Sequence, residues 1–545
     1  MDIIGLRPLI ETACRHLLSE QDRDPYSLTY GCFDRRYWAW KLVDFPEATF
    51  QRNVYPSAWM AGRAGQTTKD AEMWTSTALA GLSYAARIQH PDGSFDQAFP
   101  HEHSFGATAF LLHSLLSAYQ IVSASCSQEA KTSIETGLRR AADFLGRADE
   151  THGHIANHVA GAVLALLLSA ELFAEPGYKA RGMVLLDRLL KHQSSEGWFL
   201  EYEGADPGYQ TLCLYYLAQV YGLHPDARLK DALARSIDFL AWFVHPDGTF
   251  GGEYGCRRTA VYYPGGVALL SGEFSLARSM DRFMLAALLK GQTVTPADVD
   301  MGNLAPLLSN YITALEVDRN EEKPPAPPLP WEVEDHGRDF KDAGLFVRAK
   351  GDYYAIVGGS NGGVLKIFDR KKRALLWNDG GFVGKTATGD YLTTQVTDVS
   401  RPCRATAEEI QISTPFYVMR RSAPRPIQFV LLRVLNLTAM RWIRFGNWIK
   451  TRLVKRLITG KRATALDLIR TIRFEKEHVI IHDVVRSHAP MALAWLEFGR
   501  PFVAIHMASA RYFENASSAG SGWPARSISV ETLRRDSFVE SEVVI

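Results

Sequence analysis

Four short segments of this chain gather the side chains best suited to chemistry. They are Phe99-Pro100-His101-Glu102-His103; His154 with Asn157 and His158; Glu201-Tyr202-Glu203 with Asp206-Pro207-Gly208-Tyr209-Gln210; and Glu253-Tyr254-Gly255-Cys256-Arg257-Arg258. Imidazole, phenol and carboxylate groups exchange protons, and guanidinium groups hold anions. A plain turn needs only Gly, Asn or Asp, so His, Tyr and Arg recurring at one point of a repeat exceed what scaffolding requires. Each residue also has a structural reading. Asn157 and His158 open a helix and fit an N-terminal cap. Tyr209 follows Pro-Gly and fits inward packing, and Arg257 and Arg258 fit ion pairs with Glu201, Glu203 or Glu253. His101 and His103 have the i, i+2 spacing of metal ligands on a strand. No third ligand accompanies them in the sequence, so they are expected to contact a ligand, with no metal.

The elements that must position these segments form a repeat. Three turns look alike: His90-Pro91-Asp92-Gly93-Ser94-Phe95, Ser194-Ser195-Glu196-Gly197-Trp198-Phe199 and His245-Pro246-Asp247-Gly248-Thr249-Phe250. A degraded copy, Asp149-Glu150-Thr151-His152-Gly153-His154, lies between the first two. The glycine spacing of roughly 50 residues is that of a helical hairpin unit. Apolar residues recur at helical spacing in 71–89, 104–122, 130–147, 157–173, 179–193, 209–222, 228–244, 259–270 and 276–290. Such units bury their apolar faces only by stacking, either as an open array or closed into an α/α toroid. Equivalent turns then lie at one end, and the four segments line one mouth. Phe95, Phe199 and Phe250 read as core residues of the units.

Residues 318–335, DRNEEKPPAPPLPWEVED, interrupt this pattern with five prolines in 324–330, which marks a semi-rigid linker. Beyond it the period changes. GLFVRAK, YYAIVGG, GVLKIFD, ALLWND, YLTTQVTD, IRTIRF, HVIIHDVV and FVAIHMA are short, β-branched and separated by Gly, Asp or Asn. The expected organisation is an α/α toroid domain over 1–317, a linker over 318–339 and an antiparallel β-sandwich domain over 340–545. The Gly358–Gly363 run reads as a β-turn, because no Lys-Ser/Thr and helix follow it as a phosphate loop requires.

The β-domain carries an insert at about 415–462. No acidic residue lies between Glu409 and Asp467, while twelve basic ones do. On a helical projection of 427–458, Arg433, Arg441, Arg444, Arg452 and Lys455 share one arc, with Leu431, Leu435, Trp442, Ile449, Leu453 and Leu457 opposite. A basic face, an apolar face and the tryptophans Trp442 and Trp448 describe a helix lying in an anionic membrane surface. The structural alternative is a helix packed on the β-domain with a solvated basic face.

Composition excludes other classes. Of 545 residues, 46% are hydrophobic and 22% charged, and 61 Lys plus Arg against 60 Asp plus Glu leave a net charge of +1. This is a folded chain of more than one domain, neither a globally basic nucleic-acid binder nor an acidic disordered segment. The basic insert has no nucleic-acid-binding module around it. Six scattered cysteines with no CxxC pair argue against a disulfide scaffold or a zinc ribbon. No uncharged apolar run reaches the length of a membrane span. The opening MDIIGLRPLIETACRHLL lacks the pattern of a secretory leader, and the expected location is cytoplasmic, peripheral at the inner face of the cell membrane.

With its helical hairpins, linker and β-domain, the chain resembles the heparinase II/III-like polysaccharide lyases, which join an α/α toroid to an antiparallel β-sandwich across a glycan cleft. The motifs carrying the resemblance are Asn157-His158 opening a helix, Asp206-Pro207-Gly208-Tyr209-Gln210 opening the next hairpin, and Gly251-Gly252-Glu253-Tyr254. The resemblance implies removal of the C5 proton of a uronate followed by elimination of the 4-O substituent. It casts Asn157, His158 and Tyr209 as catalytic: Asn157 would hold the carboxylate with His158 beside it, and Tyr209 would be base, acid or both. Contacts to the acidic sugar would come from His101, His103, Glu201, Tyr202, Gln210, Glu253, Tyr254, Arg257 and Arg258. The family's β-domain histidine stretch corresponds to Gly358-Gly359-Ser360-Asn361-Gly362-Gly363-Val364-Leu365-Lys366. It has no histidine, leaving Asn361 and Lys366 as binding candidates.

That departure, with the leader pattern missing, favours a role in surface polysaccharide metabolism on an acidic polysaccharide or lipid-linked glycan. Three alternatives stay open: a uronyl C5-epimerase, a non-catalytic glycan-binding or assembly factor, and a terpene cyclase-like toroid, which has similar Asp-Gly-x-Phe turns but a DxDD motif absent here. No cofactor is expected.

Overall fold

In the computed structural model, residues 5–63, 67–151, 153–319, 325–419, 425–441, 445–446, 448–449, 451–452, 460–504 and 525–545 are described. The apolar periodicity of the N-terminal part becomes α1 (Leu6–Glu20), α2 (Arg35–Trp38), α3 (Ala48–Gln51), α4 (Val54–Gly62), α5 (Thr68–Ile88), α6 (Phe105–Val122) and α7 (Gln128–Arg147). It continues in α8 (Ala156–Phe173), α9 (Pro176–Lys191), α10 (Pro207–Leu223), α11 (Ala227–Ala241), α12 (Pro264–Leu270), α13 (Ser275–Leu289) and α14 (Met301–Glu316). Ser104, Asp206 and Asp226 each accept a backbone N–H of the helix they open. Such caps, with Pro in the first turn of α9 and α10, start those helices before the apolar period begins. The helix expected from residue 259 begins only at Pro264, because a residue before proline is pushed towards extended backbone.

The hairpins close into a ring. Helices α4, α6, α8, α10, α12 and α14 pack side by side, and α14 returns to α4. There Trp59 donates its indole N–H to Glu316 at 3.1 Å. Helices α5, α7, α9, α11 and α13 form the outer layer. Two inner helices, α6 and α8, have the length and hydropathy of a membrane span, beyond what the sequence reading allowed; they are largely buried in this ring, which explains why they are apolar on all sides.

The repeat has a physical basis at its turns. Gly93 and Gly197 have φ of +93° and +98°, and a Cβ on either would lie 1.9 Å from the Arg140 carbonyl oxygen and 2.1 Å from that of Arg235. Each glycine therefore rests on the outer helix of the following hairpin. Gln89 and Gln193 reinforce this contact. Each donates to its turn glycine's carbonyl and to a carbonyl of that same outer helix, Gly137 and Ala232 respectively.

β1 (His336–Phe340), which begins inside the 318–339 stretch expected as linker, β2 (Leu345–Lys350), β3 (Tyr353–Gly358), β4 (Val364–Asp369) and β5 (Ala374–Asp379) form an antiparallel sheet in sequential order. A second antiparallel sheet holds β6 (Val383–Thr386), β7 (Tyr391–Thr393), β8 (Cys403–Ala405), β9 (Glu409–Met419), β10 (Ala463–Phe474), β11 (Val479–Ser487), β12 (Leu493–Phe498), β13 (Arg526–Ser527) and β14 (Phe538–Val544). Its order is β13-β12-β6-β7-β9-β10-β11-β14, with β8 beside β9. Helix α15 (Pro426–Leu437) lies between β9 and β10, and α16 (Val530–Asp536) precedes β14.

The first sheet is buried on both faces. Tyr354, Ile356 and Phe368 join the toroid's core, while Tyr353, Ala355, Val357 and Ile367 join the core shared with the second sheet. That double burial is why YYAIVG shows no polar alternation. Two expected strands differ: YLTTQVTD is a strand only to Thr393, and within FVAIHMA residues 502–504 are not a strand and the rest lies outside the described residues. The buried Arg470 of β10 pairs with Asp379 at 2.7 Å and Asp483 at 2.8 Å, which cross-links the two sheets.

Candidate functional site

One buried carboxylate sets the geometry of the mouth. Asp206 caps α10 by accepting the Tyr209 N–H at 3.0 Å, and its second oxygen accepts the Arg257 N–H at 2.8 Å. The two residues are thereby fixed against each other. The guanidinium carbon of Arg257 lies 3.5 Å from the centroid of the Tyr209 ring and 5.1 Å from that of Tyr202. Arg257 also pairs with Glu201 at 3.1 Å. The other Glu201 oxygen accepts from the Asn157 backbone N–H at 3.1 Å and from its Nδ2 at 2.6 Å. An unbroken chain, Asn157–Glu201–Arg257–Tyr209, thus runs from the start of α8 to the start of α10.

His158 stands one residue after Asn157. Its Nδ1 is 2.7 Å from Glu150, and its ring meets Phe110 edge-on at 5.3 Å. The close approach of α6 needs Gly106, since a Cβ there would lie 2.3 Å from His158 Nδ1. Tyr202, at φ +58°, connects the two halves: the charges of Arg257 and Glu201 on one side and of Glu150 on the other act on its phenol. Burial raises the Tyr202 pKa, with Arg257 pulling the other way, so the phenol is protonated at neutral pH and is a proton donor. Burial also works against the charge of Arg257, but Tyr209, Glu201, Tyr202 and Asp206 together hold it well above the usual guanidinium value. His158, Tyr202 and Tyr209 are partly exposed, so a ligand can reach them.

The structure withdraws several expected ligand contacts. Gln210 is buried, accepting the Phe199 N–H and donating to Gly197 O and Ser236 Oγ; it braces the third turn. Tyr254 is fully buried, its hydroxyl 2.8 Å from His245 Nε2. Glu253 and Lys366 form a buried pair at 2.9 Å between toroid and sheet. Arg258 is 1% exposed and holds Gln395 and Cys256 O. Asn361 is fully buried, with Nδ2 within reach of the carbonyls of Glu253, Tyr254 and Gly255. For all of these but Gln210 the reason is shared: the β-domain packs directly on the fourth segment, through Asn361 and Lys366 of the first sheet's β3–β4 region and through Gln395, so these groups lie at the domain contact. Asn157 and Glu201 are each 1% exposed. They stand behind Arg257 and position it, and the Asn157 amide is turned onto Glu201 rather than outward. Asn157 is not the cap of α8, which is Ile155.

His101 and His103 are partly exposed in the first turn and are joined there by His90, whose ring centroid is 5.7 Å and 4.2 Å from theirs. Arg52, Phe110 and Tyr216, packed behind His158, and Glu150, its partner, were not among the expected site residues. Arg52 donates to the Tyr216 hydroxyl at 3.2 Å and lies 5.0 Å from the Phe110 centroid. Only Glu150 had a signal, its place in the degraded turn.

The insert also departs from expectation. Arg433, placed on a bilayer-facing basic arc, instead pairs with Asp44 of the toroid at 2.8 Å and lies over Phe45. Helix α15 packs through that side and through the buried Asn436, leaving Ile427, Phe429, Val430, Leu431, Val434 and Leu437 exposed. Beyond it Trp448 is 51% exposed, stacks on Phe445 and carries Arg452 at 4.8 Å from its ring. Arg441 and Arg452 are exposed. Trp442, Arg444 and Lys455 lie outside the described residues.

Residues 47–268 match the family model of the ulvan lyase N-terminal domain, a span containing Asn157, His158, Tyr209 and Arg257. In fold, the chain is similar to the Streptomyces coelicolor A3 chondroitin AC lyase solved in complex with chondroitin sulphate. The TM-score is 0.56 at 14% identity, over 91% of this chain and 67% of that one. A Paenibacillus xanthan lyase gives a TM-score of 0.52 at 11% identity, over 90% of this chain and 46% of that one, so this chain spans less than half of the xanthan lyase's length. No curated protein matches the sequence. The architecture is therefore the helical toroid plus antiparallel β-sandwich of polysaccharide lyases.

Proposed function

We propose that this protein is a carbon–oxygen lyase acting on a uronate-containing polysaccharide. The observation that carries this reading is the Arg257 guanidinium lying 3.5 Å from the Tyr209 ring centroid at a partly exposed mouth of a lyase-type toroid. In the reaction, a phenolate at Tyr209 takes the C5 proton. The electrons left behind pass towards the uronate carboxylate, where Arg257 offsets the growing negative charge. They then form the C4–C5 double bond as the C4–O bond breaks. The departing oxygen takes a proton from Tyr209, now a phenol, or from Tyr202. His158, anchored by Glu150, orients the sugar. Two features favour surface polysaccharide metabolism on a lipid-linked glycan: the exposed apolar side of α15 and the exposed Trp448, Arg441 and Arg452 fit a peripheral site on the inner face of the cell membrane.

The test is a product assay on the purified full chain with uronate polysaccharides of differing linkage. Ultraviolet absorbance from an unsaturated uronate is expected with the wild type. Tyr209→Phe should lose roughly 10²–10⁴-fold of the rate with unchanged circular dichroism. Deuterium entering C5 from solvent without that absorbance would replace elimination by epimerisation. Neither signal from any uronate polymer would overturn catalysis at this mouth.

A further inference from the structure

We propose that His90, His101 and His103 form a binding site for a divalent transition-metal ion of the zinc type. One ring nitrogen of each lies within 4.8 Å of those of the other two, and all three rings are partly exposed. Tetrahedral zinc asks for roughly 3.3 Å between nitrogens bonded at about 2.0 Å, a closure that side-chain torsions supply.

The hairpin turn accounts for only part of this arrangement, since it ties His90 to Asp96 and His103 to Asp92 and Ser94 Oγ. It is already fixed by Asp92 and Asp96. Asp92 Oδ1 accepts from Ser94 N at 3.0 Å and Ser94 Oγ at 2.6 Å. Asp96 accepts the backbone N–H groups of His101, Glu102 and His103 at 2.7, 2.8 and 3.0 Å. A structural histidine in the same turn looks different, as the fourth turn shows. His245, at the position of His90, is fully buried, with its ring nitrogens on Thr249 Oγ1 and the Tyr254 hydroxyl at 2.7 and 2.8 Å and its ring stacked on Phe368. His90 instead faces two more imidazoles at an opening to solvent.

The loop aims those imidazoles on purpose-built backbone. His101 and His103 both have positive φ, +61° and +51°, a conformation that a plain turn would give to Gly or Asn. Asp96, by gathering three successive N–H groups, imposes it. Two alternate residues thereby present their rings on one side. The ring orientations are set by carboxylates: His103 Nδ1 lies 2.9 Å from Asp92 and His90 Nε2 lies 2.8 Å from Asp96. A carboxylate behind a histidine is the usual outer support of a metal ligand, and it leaves Nε2 of His103 with its lone pair. Three imidazoles suit zinc, nickel or copper, not calcium or magnesium, which take oxygen ligands. Three protein ligands leave a coordination position for water or for an oxygen of a bound anion.

The test uses the untagged full chain stripped with chelator. Calorimetric titration with Zn²⁺ and elemental analysis after dialysis should give one zinc per chain, and Co²⁺ in its place should give the visible absorption of a nitrogen-bound, four- or five-coordinate ion. His101→Ala removes a ring outside the turn's own hydrogen bonds and should weaken zinc binding by at least about 100-fold, while Asp92→Asn should weaken it roughly 10–100-fold. A wild type that retains no zinc and shows no cobalt spectrum would overturn the site, as would His101→Ala and His103→Ala variants that bind like the wild type. The readouts are metal content and spectrum, so the outcome is independent of whether the protein is a lyase.

Discussion

At the scale of single residues, Arg257 does what no neighbour can replace. It stacks on Tyr209 with a planar cation while reaching Glu201 at 3.1 Å. A lysine carries the charge but neither stacks nor forks. Arg257→Lys is expected to keep the fold, measured by circular dichroism, and to cut kcat roughly 10²-fold with a smaller change in KM; equal activity would remove Arg257 from the reaction. A second residue governs pH dependence. His113 on α6 is fully buried near Arg52, and burial, then the Arg52 charge, push its pKa down to about 4. Unfolded, it titrates near 6.5, so between those values the unfolded chain binds the proton and the folded chain does not. Stability is therefore complete above about pH 6.5 and falls as pH drops towards 4, by up to about 3 kcal/mol. Denaturant midpoints between pH 4 and 7 should show this slope in the wild type and a shallower one in His113→Leu.

At the scale of elements, the turn glycines and glutamines explain the repeat better than the aromatic positions do. Gly93 and Gly197 lie against the next outer helix, and Gln89 and Gln193 bond to it. The glycine period was legible in the sequence; the glutamine at the turn's entrance stands before only two of the four turns and carries no signal until its second partner is seen. Helix α15 gives the reverse lesson. Its amphipathic projection was readable, but the side that meets the protein was not, because Asp44 and Phe45, which receive Arg433, are nearly 400 residues away. Ile427, Phe429, Val430 and Leu431 are exposed, as are Trp40 and Leu42 in the segment of Asp44, to which Arg433 pairs. In liposome flotation the intact chain is expected to bind anionic vesicles and lose binding as salt rises. Phe429→Ser with Leu431→Ser should abolish it, since each buried CH₂ contributes about 0.8 kcal/mol. Failure of the intact chain to float would refute the membrane role.

For the whole molecule, the decisive feature is that the first sheet is packed on both faces, which turns the fourth turn segment into a domain joint. Asn361 gathers the carbonyls of Glu253, Tyr254 and Gly255 at 2.7–3.1 Å and accepts from Thr397 Oγ1 at 2.7 Å. Asn361→Ala strands those buried groups and should cost roughly 2–3 kcal/mol. The expected result is a lower Tm, with limited proteolysis separating toroid from β-domain; cleavage and Tm like the wild type would show the joint to rest elsewhere. The sequence by itself determined the helical hairpins, the change to β-period and the gathering of reactive residues after each turn, because periodicity and turn chemistry act over a few residues. Which of those residues face a ligand was decided only by tertiary structure. The Asp206 carboxylate brings Arg257 onto Tyr209, and domain contact buries Arg258 one position later. The Asp96 carboxylate folds the loop back so that His90 meets His101 and His103. Each of these contacts depends on groups far apart in the chain, or on a backbone reversal that no local pattern encodes.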